Sequence, residues 1–229
     1  MAEPRPDLLI LGDSHSVALK DGCDRLGLRA ELLSFSGNFW HQGHIFLHRS
    51  RGLWAKGRAL QDRIETVGAR MGVDNILQSG VPVLTSFGFH LGRIVPPFGY
   101  LKHTADPAIF AADPESHFAS RGLVEAYWRA YRDVHVRMLA RLAGLVPTLA
   151  VTPPNVFAGD NYRAFFEVTK SMIRDAGVAL FDPCEALFGP GNLLPDDMIT
   201  ADRVHGDARY GERVMAHILD THLLPARRD

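Results

Sequence analysis

Leu8-Leu9-Ile10-Leu11-Gly12-Asp13-Ser14-His15 is the stretch from which the fold can be read. Four apolar residues in a row, closed by glycine, fit a short strand buried on both faces. Directly after it, Val17, Ala18, Leu19, Cys23 and Leu26 recur at near-helical spacing over residues 16–26. Similar apolar runs follow at Ala30–Leu33, Val81–Thr85, Leu149–Thr152 and Val178–Phe181, with Leu149–Thr152 stopped by Pro153-Pro154. Helices are expected between and after them: His44 to Met71 with breaks near Gly52 and Gly57, Leu123 to Leu142, Tyr162 to Ala176, and Tyr210 to Leu223. In the second of these, Tyr127, Tyr131, Val134, Met138 and Leu142 fall on one stripe.

Strands alternating with helices imply right-handed crossovers and a parallel sheet covered on both sides. The expectation is an α/β fold: one doubly wound domain over residues 1–229, its five-stranded parallel sheet in the flavodoxin-like order 2-1-3-4-5, with helices on both faces. Residues 93–120 break the alternation. They carry Pro96, Pro97, Pro107 and Pro114 without a clear period, and read as an irregular insertion serving as a lid or binding loop.

Composition narrows the function. Lys plus Arg number 25 and Asp plus Glu 26, so the basic excess of a general nucleic-acid binder is missing. No apolar run approaches the roughly 20 residues of a membrane helix. The N-terminal residues show no apolar core behind a basic start, so the chain reads as cytoplasmic. Cys23 and Cys184 are far apart and form no CxxC, which leaves two free thiols rather than a disulfide scaffold or a zinc knuckle. His41, His44 and His48 could share a helix face, but no carboxylate or cysteine stands near them and no metal site is expected.

In an open parallel sheet the ligand crevice lies beyond the carboxyl ends of the strands. After the first strand come Asp13 and Ser14, at the start of a helix whose dipole favours a nearby oxyanion. Taken alone, the two residues could equally cap that helix. A serine nucleophile needs a base, and the base needs an orienting acid. Asp202-Arg203-Val204-His205, before the last helix, supplies both.

On these blocks the sequence resembles the SGNH/GDSL hydrolase superfamily. Leu11-Gly12-Asp13-Ser14 is similar to its first block, Gly37 in Phe35-Ser36-Gly37-Asn38 to its second, and Asp202 with His205, followed by Gly206, to its DxxH block. The resemblance implies Ser14 as nucleophile, His205 as base and Asp202 as its partner. It also implies an oxyanion hole from the N–H groups of Ser14 and Gly37, and no cofactor. There are two departures. His15 stands where leucine is usual, a variant similar to the SGNH domains of glycan O-acyltransferases. In Ser86-Phe87-Gly88-Phe89-His90-Leu91, His90 takes the place of the third-block asparagine. A histidine N–H can donate one hydrogen bond, so His90 is the expected third oxyanion donor, with Asn38 as the other candidate. Phe89, Phe98 and Tyr100 are candidates to line a substrate pocket.

The leading expectation is a serine esterase acting on a small-molecule or glycan ester, with neither nucleic acid nor membrane as partner. The alternatives are an O-acyltransferase using the same acyl-enzyme and a catalytically silent glycan-binding module. The sequence leaves the acyl group and the oligomeric state open.

Overall fold

The computed structural model describes residues 5–90, 102–157, 159–189, 193–224 and 226. Strand β1 (Leu8–Gly12) runs into α1 (Ser16–Arg25), and β2 (Ala30–Ser34) follows. A five-residue helix, α2 (Gly37–His41), leads into a hairpin of β3 (Ile45–His48) and β4 (Gly52–Ala55), then α3 (Arg58–Met71) and β5 (Val83–Thr85). The described part of the insertion holds β6 (His103–Thr104), α4 (Pro107–Ala112) and β7 (His117–Phe118), the two strands paired in parallel. After it come α5 (Arg121–Leu145), β8 (Thr148–Val151), α6 (Asp160–Asp175), β9 (Ala179–Phe181), α7 (Pro183–Leu187) and α8 (Ala208–Asp220).

The main sheet is parallel throughout, in the order β2-β1-β5-β8-β9, the expected 2-1-3-4-5. β1 lies inside it, and its alternate residues serve two separate cores. Leu9 and Leu11 pack with Val83, Ala150, Leu139 and Phe165 on the α3, α5 and α6 side. Leu8 and Ile10 pack with Leu84, Leu149, Val151, Val214 and Ile218 on the α1 and α8 side. This two-sided burial is why the strand shows no polar alternation. The register sets Gly12 beside Ser34, Leu11 beside Thr85, and Val151 beside Phe181. The loops after β1, β2, β5, β8 and β9 therefore emerge along one edge.

Two expectations are corrected. Residues 45–55 form the β3–β4 hairpin and not helix, with Ile45 and Leu47 buried and the turn closed by Gly52 in a left-handed conformation. His41, His44 and His48 accordingly share no helix face: His41 ends α2 and His48 lies on β3. In α5 the buried ridge is Val124, Trp128, Arg132, His135, Val136, Leu139 and Leu142, while Tyr127 and Val134 face outward.

Helices α1 and α8 cross at glycines. A Cβ on Gly211 would lie 1.7 Å from the Ala18 carbonyl oxygen, and one on Gly22 would lie 2.2 Å from that of Gly211. Only hydrogen fits at either position, so the helices meet backbone to backbone. This contact joins the helix after Ser14 to the helix after His205.

Candidate active site

Ser14 leaves the end of β1, and His205 sits three residues ahead of α8. The structure brings them together: His205 Nε2 is 2.7 Å from Ser14 Oγ, and His205 Nδ1 is 2.6 Å from Asp202 Oδ2. An ionised carboxylate can only accept, so Nδ1 carries the ring proton and Nε2 is free to receive one from Ser14. Ser14 is exposed to solvent, and Asp202 is more than half exposed.

Asp202 is held by its own loop. A bridge pairs Ile199 with Gly206, and Thr200 N–H donates to the His205 carbonyl at 2.9 Å. Inside this loop Asp202 Oδ1 accepts from Thr200 Oγ1 at 2.6 Å and from the N–H groups of Val204 and His205 at 2.9 and 3.1 Å. The Thr200 hydroxyl first, then the Val204 N–H and His205, hold its carboxyl well below the usual carboxylate range. Arg203 adopts φ 62°, a left-handed conformation that costs a non-glycine residue roughly 1 kcal/mol. The neighbouring Asp182 and Asp207 cap α7 and α8 through their Oδ1 atoms.

Asp13 neither caps α1 nor reaches solvent. Its Oδ1 accepts from the N–H of His15 and from Ser86 Oγ, both at 3.1 Å, and its carbonyl accepts from Ser34 Oγ at 2.7 Å. One buried residue thus ties together the ends of β1, β2 and β5. Trp40 closes the floor, donating from Nε1 to the Gly12 carbonyl at 3.0 Å and stacking on Phe87 at 4.4 Å.

Gly37 is the first residue of α2, where a helix has N–H groups with no acceptor within it. Its Cα faces the His90 ring so closely that a Cβ would lie 2.2 Å from His90 Nδ1. His90 and Gly37 are therefore neighbours. His90 Nε2 is buried without a hydrogen-bond partner, and the His90 carbonyl accepts from the Arg132 guanidinium. Burial, helped by Arg132 and opposed by Asp13, holds the His90 ring below the ordinary histidine range and so neutral. Asn38 is exposed on α2. Phe89 is 1% exposed and packs on Phe166 in the core, so it lines no open pocket. Phe98 and Tyr100 lie outside the described residues.

Three contributors escaped sequence reasoning. The His15 ring lies 4.6 Å from that of His205, tilted by 42°, and burial keeps it neutral. Thr200 fixes Asp202. Arg132, 1% exposed, sits beneath His90 with its guanidinium 4.9 Å from the Phe165 ring. Only the position of Thr200, two residues before Asp202, could have been noticed from sequence. Among the described residues no cluster of three or more His, Cys, Asp or Glu is placed to hold a metal ion. No helix among them is long and apolar enough to cross a membrane. Cys23 and Cys184 are free and buried.

No family model matches the sequence, and no curated protein does. Solved structures similar to the chain include the acetylxylan esterase Axe2 from Geobacillus stearothermophilus, at 13% identity and a TM-score of 0.45, covering 100% of both chains. Another is a GDSL-like lipase from Bacteroides thetaiotaomicron, at 12% identity and a TM-score of 0.46, covering 97% of this chain and 91% of that one.

Proposed function

We propose that this protein is a serine esterase of SGNH type that hydrolyses a small acyl ester, in the first place an acetyl ester of a carbohydrate. One observation carries the reading: the unbroken relay from Ser14 Oγ through His205 to Asp202, with heavy-atom separations of 2.7 and 2.6 Å. Ser14 Oγ attacks the ester carbonyl carbon as its proton passes to His205 Nε2. Asp202 accepts from Nδ1 throughout and stabilises the imidazolium that forms. The tetrahedral oxyanion takes hydrogen bonds from the N–H groups of Ser14 and Gly37 and from His90. Collapse breaks the bond to the alcohol, which departs with the proton from Nε2, and the acyl group stays esterified to Ser14 Oγ. Water, deprotonated by His205, attacks that acyl group and releases the carboxylic acid, regenerating Ser14. The exposure of Ser14 and Asp202 favours water as the acceptor over transfer to a sugar hydroxyl, which needs water kept out.

A fluorophosphonate probe tests the reading, since it labels serines activated by a neighbouring base. Intact protein should form one adduct, mapped by mass spectrometry to Ser14 and abolished by prior denaturation, and Ser14→Ala should lose hydrolysis of p-nitrophenyl acetate. No adduct, or an adduct elsewhere, refutes the assignment. Products analysed with and without added sugar acceptors distinguish hydrolysis from transfer.

A further inference from the structure

A second cavity, of about 250 Å³, opens between α6 and the loops that follow β8 and β9. Thr152 and Asn155 line it from the first loop, Asp182 and Cys184 from the second, and Phe166, Glu167 and Lys170 from α6. Val151 and Phe181 are paired in the sheet, so the two loops leave side by side on the edge that also carries Ser14. β8 lies two strands from β1 in the sheet order, which sets the cavity roughly 10 Å along that edge.

The lining identifies what the cavity can take. Its two cations, Arg163 and Lys170, are balanced by Glu167 and Asp182, so there is no net charge to draw in an ion. Lys170 is 3% exposed and its ammonium is already shared among Asp182 at 2.7 Å, Glu167 at 2.6 Å and Glu185 at 3.5 Å. Three carboxylates already compensate its charge, two of them within hydrogen-bond distance, so it offers an anionic ligand little. Burial pushes the Cys184 thiol up to about 12, so it stays protonated and offers no thiolate to a metal or an electrophile. Among the described residues, two buried polar atoms of this lining have no partner, Thr152 Oγ1 on a residue 2% exposed and Asn155 Oδ1. A buried polar atom left this way destabilises the fold until something pairs with it. Asn155 Oδ1 can only accept and Thr152 Oγ1 can do either, beside carboxylates that only accept. Phe166 adds an apolar wall.

We propose that this cavity is a binding subsite for a neutral polyhydroxylated ring, a pyranose unit of a glycan. Its hydroxyls donate to Asn155 and to the carboxylate edges and pair with Thr152, while an aliphatic face of the ring rests on Phe166. A single sugar ring suits a volume just below the range of drug-sized pockets. That this sugar belongs to the ester cleaved at Ser14 rests on the reading above; that the cavity takes a sugar does not. A short oligosaccharide then spans the edge, with its acylated unit at Ser14 and a neighbouring unit here.

The test is titration of the isotope-labelled full chain, followed by its backbone amide signals. Xylobiose, cellobiose and N-acetylglucosamine are the probes, with inorganic phosphate and putrescine as an anion and a cation for comparison. At least one sugar should shift the Thr152, Asn155 and Asp182 signals saturably. Thr152→Val and Asn155→Ala should each weaken that binding by about 2–10-fold, the worth of one hydrogen bond. Thr152 Oγ1 and Asn155 Oδ1 have no hydrogen-bond partner to lose, so both variants should melt at or above the wild-type temperature, which separates lost binding from lost folding. Sugars that leave these signals unmoved, shifts indifferent to both variants, or saturable binding of phosphate or putrescine alone would overturn the proposal. Ser14-dependent hydrolysis of p-nitrophenyl acetate with no sugar bound would sink the subsite and spare the esterase. Sugar bound at these residues with no esterase activity would do the reverse.

Discussion

Gly211→Ala perturbs the crossing of α1 and α8 without touching a reacting atom. The added methyl would lie 1.7 Å from the Ala18 carbonyl oxygen. Restoring an ordinary contact requires the helices to part by roughly 1.5 Å. Ser14 precedes one helix and His205 the other, so the 2.7 Å bond between them takes much of that shift and is broken. A misplacement of about 1 Å in a catalytic pair costs on the order of 10²-fold in rate. Stability should change less: overpacking costs about 1–3 kcal/mol, offset by up to about 1 kcal/mol from replacing a helix glycine with alanine. The assay is kcat on p-nitrophenyl acetate, corrected for folded fraction by urea titration of the same preparation. Gly144→Ala in α5 is the control, since a Cβ there meets nothing within 4 Å. It should retain activity and gain stability. If Gly211→Ala keeps kcat within a few-fold of wild type, the crossing does not set the distance between base and nucleophile.

Three further outcomes are expected. Asp202→Asn should lower kcat on the order of 10⁴-fold with the fold intact, because an amide favours the wrong histidine tautomer; a loss of only a few-fold would exclude Asp202 from the relay. His90→Ala should lower kcat about 10²–10³-fold at nearly constant KM, and His90→Asn should recover much of it by restoring a neutral donor; a drop in melting temperature with unchanged kcat would make His90 purely structural. His135, buried beside Arg132 and His41, has its ring pulled down to about 3 from 6.5, by burial first and then by these neighbours. Above pH 6.5 neither state binds this proton; between 6.5 and 3 only the unfolded chain does, so the folded state loses stability as pH falls through that window. Between pH 7 and 5 His135→Phe should lose about 2 kcal/mol less than wild type in urea titrations, and equal losses would refute this account.

The sheet was legible because β1, β5 and β8 are buried runs closed by turn residues, a pattern that needs no knowledge of tertiary contacts. The hairpin was also written in the sequence. Ile45 and Leu47 alternate with Phe46 and His48 before a turn that ends at Gly52, but a period of two over four residues is easily lost beside a long helix. The buried face of α5 was not legible in principle. Its ridge includes Arg132 and His135, and hydropathy cannot foresee that a guanidinium will be buried under the His90 carbonyl. Ser14, Asp202 and His205 could be picked out because Ser14 follows a strand and the other two precede the last helix, whereas Gly37 came from the family resemblance alone. The part His15 plays could not be read, since it depends on which loops meet. Phe89 misled for the opposite reason: an aromatic beside a loop can turn inward, and this one packs on Phe166.

Ser14 and His205 are separated by 191 positions, and the contact between them is made by the loops ahead of α1 and α8. Closing so long a loop is slow and unfavourable until the sheet between has formed. On the proposed reading, competence waits for that contact and is expected late in folding. During synthesis Ser14 leaves the ribosome 191 residues ahead of His205, and on the same reading it stays an ordinary alcohol until that histidine is delivered. A chain stalled or cut before residue 205 could then, on the reading proposed above, build most of the sheet and still hold no activated nucleophile, because Ser14 would lack its histidine.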